Sequence, residues 1–226
     1  MTREFHVLPL DDDGEHVLYR KPTFAFDPGV TLLVGCNGSG KTTLMRRMTR
    51  LLKDEGVPCH ALMRGSLTSG IDMQSQMMAA LSHVGASEGE GLMSDMGYAL
   101  TGLSSTIRHD AEAGCTESWV LIDGIDSSQS EDRLDEVRDL FDAIIETAPE
   151  GLDVHVIASA NQFGLARGMR CVRVTDAREF VPRGYDSWRR AILTSARWHR
   201  EAPEVDERAW ERTYQHMTES TRLVES

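Results

Sequence analysis

Residues Gly35-Cys-Asn-Gly-Ser-Gly40-Lys41-Thr42 keep the spacing G-x-x-x-x-G-K-[ST], and each residue type in it has a task around phosphate. Gly35, Gly38 and Gly40 let backbone N–H groups converge on anionic oxygens with no side chain in the way. A helix starting at Lys41 turns its positive end to the same place. Lys41 would reach the β- and γ-phosphates of a nucleotide, and the Thr42 hydroxyl would hold Mg²⁺. Asn37, Ser39 and Thr43 complete the expected binding loop. A second group belongs to this chemistry. The run Trp119-Val-Leu-Ile122 is apolar and ends on Asp123, a carboxylate able to order a metal-bound water if its strand ends on a neighbour of the loop strand.

These groups need strands and helices to position them. Val30–Val34 is a short apolar run rich in β-branched residues and reads as a buried strand feeding the loop. Lys41–Lys53 carries Leu44, Met48, Leu51 and Leu52 on one helical face, and Gly56-Val-Pro58 ends it. Val120–Ile122 and Val154–Ala158 read as further buried strands, and Val172–Val174 and Cys59–Met63 as shorter ones. Arg133–Glu146 is an amphipathic helix, and 91–108 reads as a helix despite Gly97 and Gly102. Two strands, Glu4–Leu8 and Val17–Phe26, lead in around the acidic loop Asp11–Glu15. Buried strands alternating with helices predict an α/β fold with a largely parallel central sheet and an N-terminal antiparallel β element.

The chain of 226 residues is long enough for one large domain. We expect a nucleotide-binding domain over 1–182 and a helical C-terminal appendage and tail over 183–226. A net charge of -12 removes bulk charge as an argument for nucleic acid, and that partner stays open. No apolar run is long enough to span a membrane, and the charged first twenty residues do not read as a secretory leader. Cys36, Cys59, Cys115 and Cys171 are too far apart for a zinc knuckle or redox pair. A reduced, cytoplasmic setting is expected. In the Arg/Trp stretch 183–200, aromatic interleaving with arginine could serve nucleic acid. A helix docking through Trp188, Ile192, Leu193 and Ala196 is the plainer reading. Tyr19 and Phe24 have two readings, stacking on a base or packing in the core, and core packing is favoured.

The loop 35–43 resembles that of ABC-type ATPases, above all the SMC and RecF-like heads. Phe24–Val34 is similar to their lead-in strands, and Leu121-Ile-Asp-Gly-Ile-Asp-Ser127 to their Walker B and D-loop run. Ser87-Glu-Gly-Glu90 resembles a variant of the family signature, and also reads as an N-terminal capping box. Val156-Ile-Ala-Ser-Ala-Asn161 stands where the strand ending in the switch histidine belongs. The order of motifs is the family's over about residues 20–165, and the likeness is greatest to small stand-alone phage and prophage ATP-binding proteins. The resemblance implies ATP and Mg²⁺ as cofactors. It makes Asp123 the Mg²⁺ acid and Asp126 the D-loop acid, puts Asn161 at the switch, and offers Gln74 or Gln76, with Gln74 preferred, as a Q-loop metal contact equally well read as a surface glutamine. It also implies a homodimer in which Ser87 and Gly89 of one subunit complete the site around Lys41 of the other, and which acts on or regulates a protein partner in DNA metabolism or phage–host conflict. The short interval from Lys41 to Ser87 leaves no room for coiled-coil arms.

Two departures follow from the same resemblance. The catalytic glutamate after the Walker B aspartate is Gly124 here, and the switch histidine is Asn161. Neither can act as a strong base, and loss of general-base help costs roughly 10²–10⁴ in rate. Slow hydrolysis is therefore expected. Asp126 and Glu117 are the carboxylates that could compensate, and a glutamate at 124 would restore turnover if nothing else is lacking. The alternatives are a P-loop small-molecule or nucleotide kinase and a nucleotide sensor that does not hydrolyse.

Overall fold

The computed structural model describes residues 1–62, 102–126 and 130–202. Among the described residues, its larger sheet has six strands. In chain order they are β3 (Gly29–Val34), β4 (Cys59–Leu62), β5 (Glu117–Ile122), β6 (Asp153–Ala160), β7 (Cys171–Arg173) and β8 (Arg178–Phe180). Their spatial order is β4-β5-β6-β3-β7-β8, parallel except for the β7–β8 hairpin. A separate antiparallel pair joins β1 (Arg3–His6) to β2 (Thr23–Phe26). The fold is α/β with a mostly parallel central sheet, as expected. The second expected lead-in strand is shorter than Val17–Phe26. Pro22 lacks an amide for a ladder, and residues before it bond elsewhere: Leu18 N donates to Pro9 O and Arg20 N to Thr175 O.

Strand residues alternate between two cores, as a period of two demands. Leu32, Val34, Val120, Ile122, Val156 and Ala158 face one side. There they meet the helical residues 102–112, α3 (Glu131–Glu146), α4 (Phe163–Ala166) and α5 (Tyr185–Glu201); the helix over 102–112 is α2. Leu33, Trp119, Leu121 and Ile157 face the other, against α1 (Lys41–Asp54) and the β1–β2 pair. In that second core His155 stacks on Trp119, with ring centroids 3.9 Å apart. Neither of its ring nitrogens has a hydrogen-bond partner among the described residues, and desolvation pushes its pKa down to about 4.

The stripe of α5 differs from the one expected. Trp188, Ala191 and Ser195 are buried and Ile192 packs against the core, while Leu193 is 48% exposed. The arginines at 183, 189, 190, 197 and 200 are exposed, so both tryptophans' stretch follows the docking pattern, displaced by one position. Of the helix expected over 91–108, only its last part falls in the described residues, where the helix continues to 112.

Candidate nucleotide site

Because β3, β5 and β6 are parallel, their carboxyl ends share one edge, which is where α/β sheets place ligands. Val34 and Ala160 are register partners, as are Ile122 and Ala158. The phosphate loop, Asp123 and Asn161 follow directly. β5 is not the neighbour of β3, since β6 lies between them. Even so, Thr42 Oγ1 donates to Asp123 Oδ2 at 2.7 Å.

The loop is held in shape from behind. Gly40 caps α1 at φ 88°, a left-handed conformation that favours glycine. A Cβ there would lie 2.9 Å from Tyr19 Cε1 and 3.0 Å from Leu18 Cδ1. Tyr19 OH donates to Gly40 O at 2.7 Å. Tyr19 and Phe24 are fully buried and pack edge to face, so they belong to the core and support the loop. At Gly35 a Cβ would meet Ser39 Oγ at 2.3 Å, so the loop also closes tightly on itself. Lys41 is buried, and its Nζ donates to Gly35 O at 2.9 Å and Cys36 O at 3.2 Å. Desolvation lowers its pKa, with the charges of Cys36, Asp123 and Asp126 pulling the other way.

Asn37, Gly38, Ser39, Gly40, Lys41, Thr42, Thr43, Asp123, Gly124 and Asn161 line one cleft of about 830 Å³. Most residues singled out by motif therefore come together. Asp126 stands behind them, fully buried. Its Oδ2 accepts from the amides of Asn161 and Gln162, and its Oδ1 from Asn161 Nδ2. Desolvation raises its pKa against these hydrogen bonds. With both oxygens engaged, it holds the turn after β6 and is not poised to take a proton from water. Glu117 does not compensate either. It opens β5, about 20 Å along the strand from Asp123, where it pairs with Arg3 and accepts from Trp119 Nε1. Gly124 adopts φ 75°, and its amide donates to Ser159 Oγ at 2.7 Å. The residue in the expected glutamate position is thus a glycine with a backbone task. Ser87, Gly89 and Gln74 lie outside the described residues.

Other lining residues carry no local signal. Asp11, Glu15, His16, Val17 and Leu18 close one side of the cleft, and His199 and Ala202 contribute from the end of α5. A Leu10–Val17 bridge ties the loop, and Asp11 organises it by accepting from the amides of Glu15 and His16 and pairing with His16 Nδ1 at 2.8 Å. Burial pushes the Asp11 pKa up, but these bonds outweigh it and hold it low. An acidic loop between strands reads as solvated, and only the Tyr19–Gly40 contact next to it reveals its place.

The AAA domain family matches residues 25–161, from β2 through the whole set of strand ends to Asn161. The chain belongs to the AAA domain family. Two solved structures resemble this AAA domain. One is an ATP-binding cassette of an ABC transporter in its ADP conformation, with 12% identity and a TM-score of 0.45, covering 87% of this chain and 97% of that one. The other is a nucleotide-free ATP-binding cassette from an ABC transporter, with 12% identity, a TM-score of 0.47 and the same coverages. No curated protein matches the chain. The residues of the AAA domain fit Mg²⁺ and a nucleotide. Thr42 and Asp123 set two hard oxygen ligands side by side, and Mg²⁺ takes few protein ligands where phosphates supply the rest. Ser39 Oγ is buried inside the cradle without a partner among the described residues. Among the described residues, no helix is long and apolar enough to cross a membrane.

Proposed function

We propose that this AAA domain binds ATP with Mg²⁺ in the cleft and hydrolyses it slowly, as a minimal ABC-type ATPase head that works on a protein partner. The observation that carries this reading is the Thr42–Asp123 hydrogen bond at 2.7 Å beside the buried Lys41. A glycine loop, a lysine and a hydroxyl–carboxylate pair serve little else in common. Bound Mg²⁺ would supply charge neutralisation between phosphate oxygens, with Thr42 and Asp123 holding it and Gln74 as a further contact. Lys41 would release the loop carbonyls and turn to phosphate. The base would lie towards His16, Val17 and Leu18, which line the cleft beyond the start of α1.

Slow turnover is supported by what surrounds the phosphate end. Gly124 has no side chain, and Asp126 and the Asn161 amides satisfy one another. The same observations favour a second reading, a sensor that binds ATP without cleaving it. Dimerisation around the nucleotide, with Ser87 and Gly89 of one copy completing the site of another, is part of the proposal, as is the kinship with SMC and RecF-like heads and phage proteins. Single-turnover assays with Mg²⁺ test the reading. We expect phosphate release at about 10⁻¹ to 10⁻³ s⁻¹, and an ATP-dependent dimer by light scattering that Ser87→Arg removes. Tight binding with no release over hours would favour the sensor. Faster phosphoryl transfer to a sugar or nucleoside than to water would favour a kinase.

A further inference from the structure

The last turns of α5 are fastened to the phosphate loop. Ser195 is buried on α5, and its Oγ accepts from the Cys36 amide at 3.4 Å and lies 3.7 Å from Cys36 Sγ. His199 stands four residues on, which places it on the same helix face. It lines the cleft together with Lys41, Gly124 and Asn161. Its Nε2 is shut off from solvent and has no hydrogen-bond partner among the described residues, a rare condition for a buried polar atom and one that a turn of the ring towards a ligand would relieve.

The charge inventory of the cleft leaves a place for such a donor. Lys41 is the one lysine or arginine among the described lining residues, against Asp11, Glu15 and Asp123. A triphosphate carries one more anionic group than a diphosphate. At the end of β6 the natural candidate to meet it is Asn161, yet its backbone N–H and one of its two Nδ2 hydrogens are given to Asp126, which holds the side chain to the turn. Gly124 offers no side chain. His199 arrives from a different element and is free of any such commitment at Nε2.

We propose that His199 donates its ring N–H to the terminal phosphate of the bound nucleotide, so that α5 distinguishes a triphosphate from a diphosphate. The inference rests on reading the cleft as an ATP site. Desolvation and the nearby Lys41 charge hold the ring below its ordinary pKa, and an imidazole keeps an N–H to give whether neutral or protonated. Because Ser195 joins the same helix to Cys36, a phosphate gripped by the loop and by His199 would bind α5 and the loop into one unit.

The test compares His199→Ala and His199→Gln with the wild-type chain in calorimetric titrations with ATPγS and ADP, each with Mg²⁺. One lost donor to a phosphate oxygen should weaken ATPγS about tenfold and ADP by less than about twofold. Glutamine keeps an N–H donor and should recover most of the loss. Equal losses for both nucleotides would mean that the ring is merely structural, and unchanged affinities for both would remove the contact alone. A wild-type protein that binds neither nucleotide would overturn the ATP reading as well. Should His199→Ala fail to fold, the ring nitrogen resonances of wild-type His199 carry the test. A shift with ATPγS and none with ADP supports the contact, and identical spectra contradict it.

Discussion

The inner and outer walls of the cleft are built differently. The inner wall is a single loop and three strand ends, and side-chain bonds tie it down, most of them between distant parts of the chain: Tyr19 OH to Gly40 O, Lys41 Nζ to Gly35 O, Thr42 to Asp123, Gly124 N to Ser159. The outer wall comes from the loop containing Asp11–Leu18 and from the end of α5. Its loop is tied by local backbone bonds, Asp11 N to His16 O and Leu18 N to Pro9 O, and by amides given to the Asp11 carboxylate, and His16 is 74% exposed. A wall bonded across the sheet decides whether phosphate can bind at all. A wall whose loop is tied mostly to itself can adjust how tightly, and which nucleotide, at little cost to the fold.

Substitutions can break this contrast. Gly40→Val forces a β-branched residue into φ 88° and drives its Cβ against Tyr19 and Leu18. We expect a loss of about 3 kcal/mol in chemical denaturation, combining left-handed strain with overpacking, and no nucleotide binding. An unchanged midpoint would show that the inner wall yields more readily than its geometry implies. Gly124→Glu comes next. At φ 75° a non-glycine residue costs about 1–2 kcal/mol, and the added carboxylate starts from a displaced backbone, so turnover should not rise. A faster rate would mean that a carboxylate was all the site lacked. His16→Ala should be the mildest. Its exposed pair with Asp11 contributes under about 1 kcal/mol, so the melting curve should barely move. ATP affinity should fall about threefold, the scale of one ring contact, with tripolyphosphate binding untouched. A threefold loss for tripolyphosphate too would place His16 at the phosphates instead of the base.

The same contrast explains what could be read before the fold was known. β3, β5 and β6 announce themselves as apolar runs because both their faces are buried, and the glycine loop and Asp123 follow from them without further contacts. The outer wall depends on long-range packing. Nothing near His199 marks it, because its role comes from Ser195 meeting Cys36 across the chain. Ser195 is also why the α5 stripe was displaced: apolarity favours Leu193 for burial, while hydrogen bonding lets a serine take the inward place. Glu117 and Asp126 mislead for a related reason. Residue type shows that each is a carboxylate, but only strand direction puts Glu117 at the far end, and only the turn at 161–162 shows that Asp126 is already engaged. β8, with the sequence Arg-Glu-Phe, has no apolar pattern and exists through pairing with β7.

The central claim is that the loop and Asp123 together grip a nucleoside triphosphate with Mg²⁺. Calorimetric titration of ATP into the wild-type chain and into Lys41→Ala, each with and without Mg²⁺, meets it directly. The account predicts saturable wild-type binding that is stronger with Mg²⁺, and a loss of at least about a hundredfold in Lys41→Ala, as expected when a buried cation is taken from an anion. Equal affinity in the two proteins, or no heat with either, would contradict it.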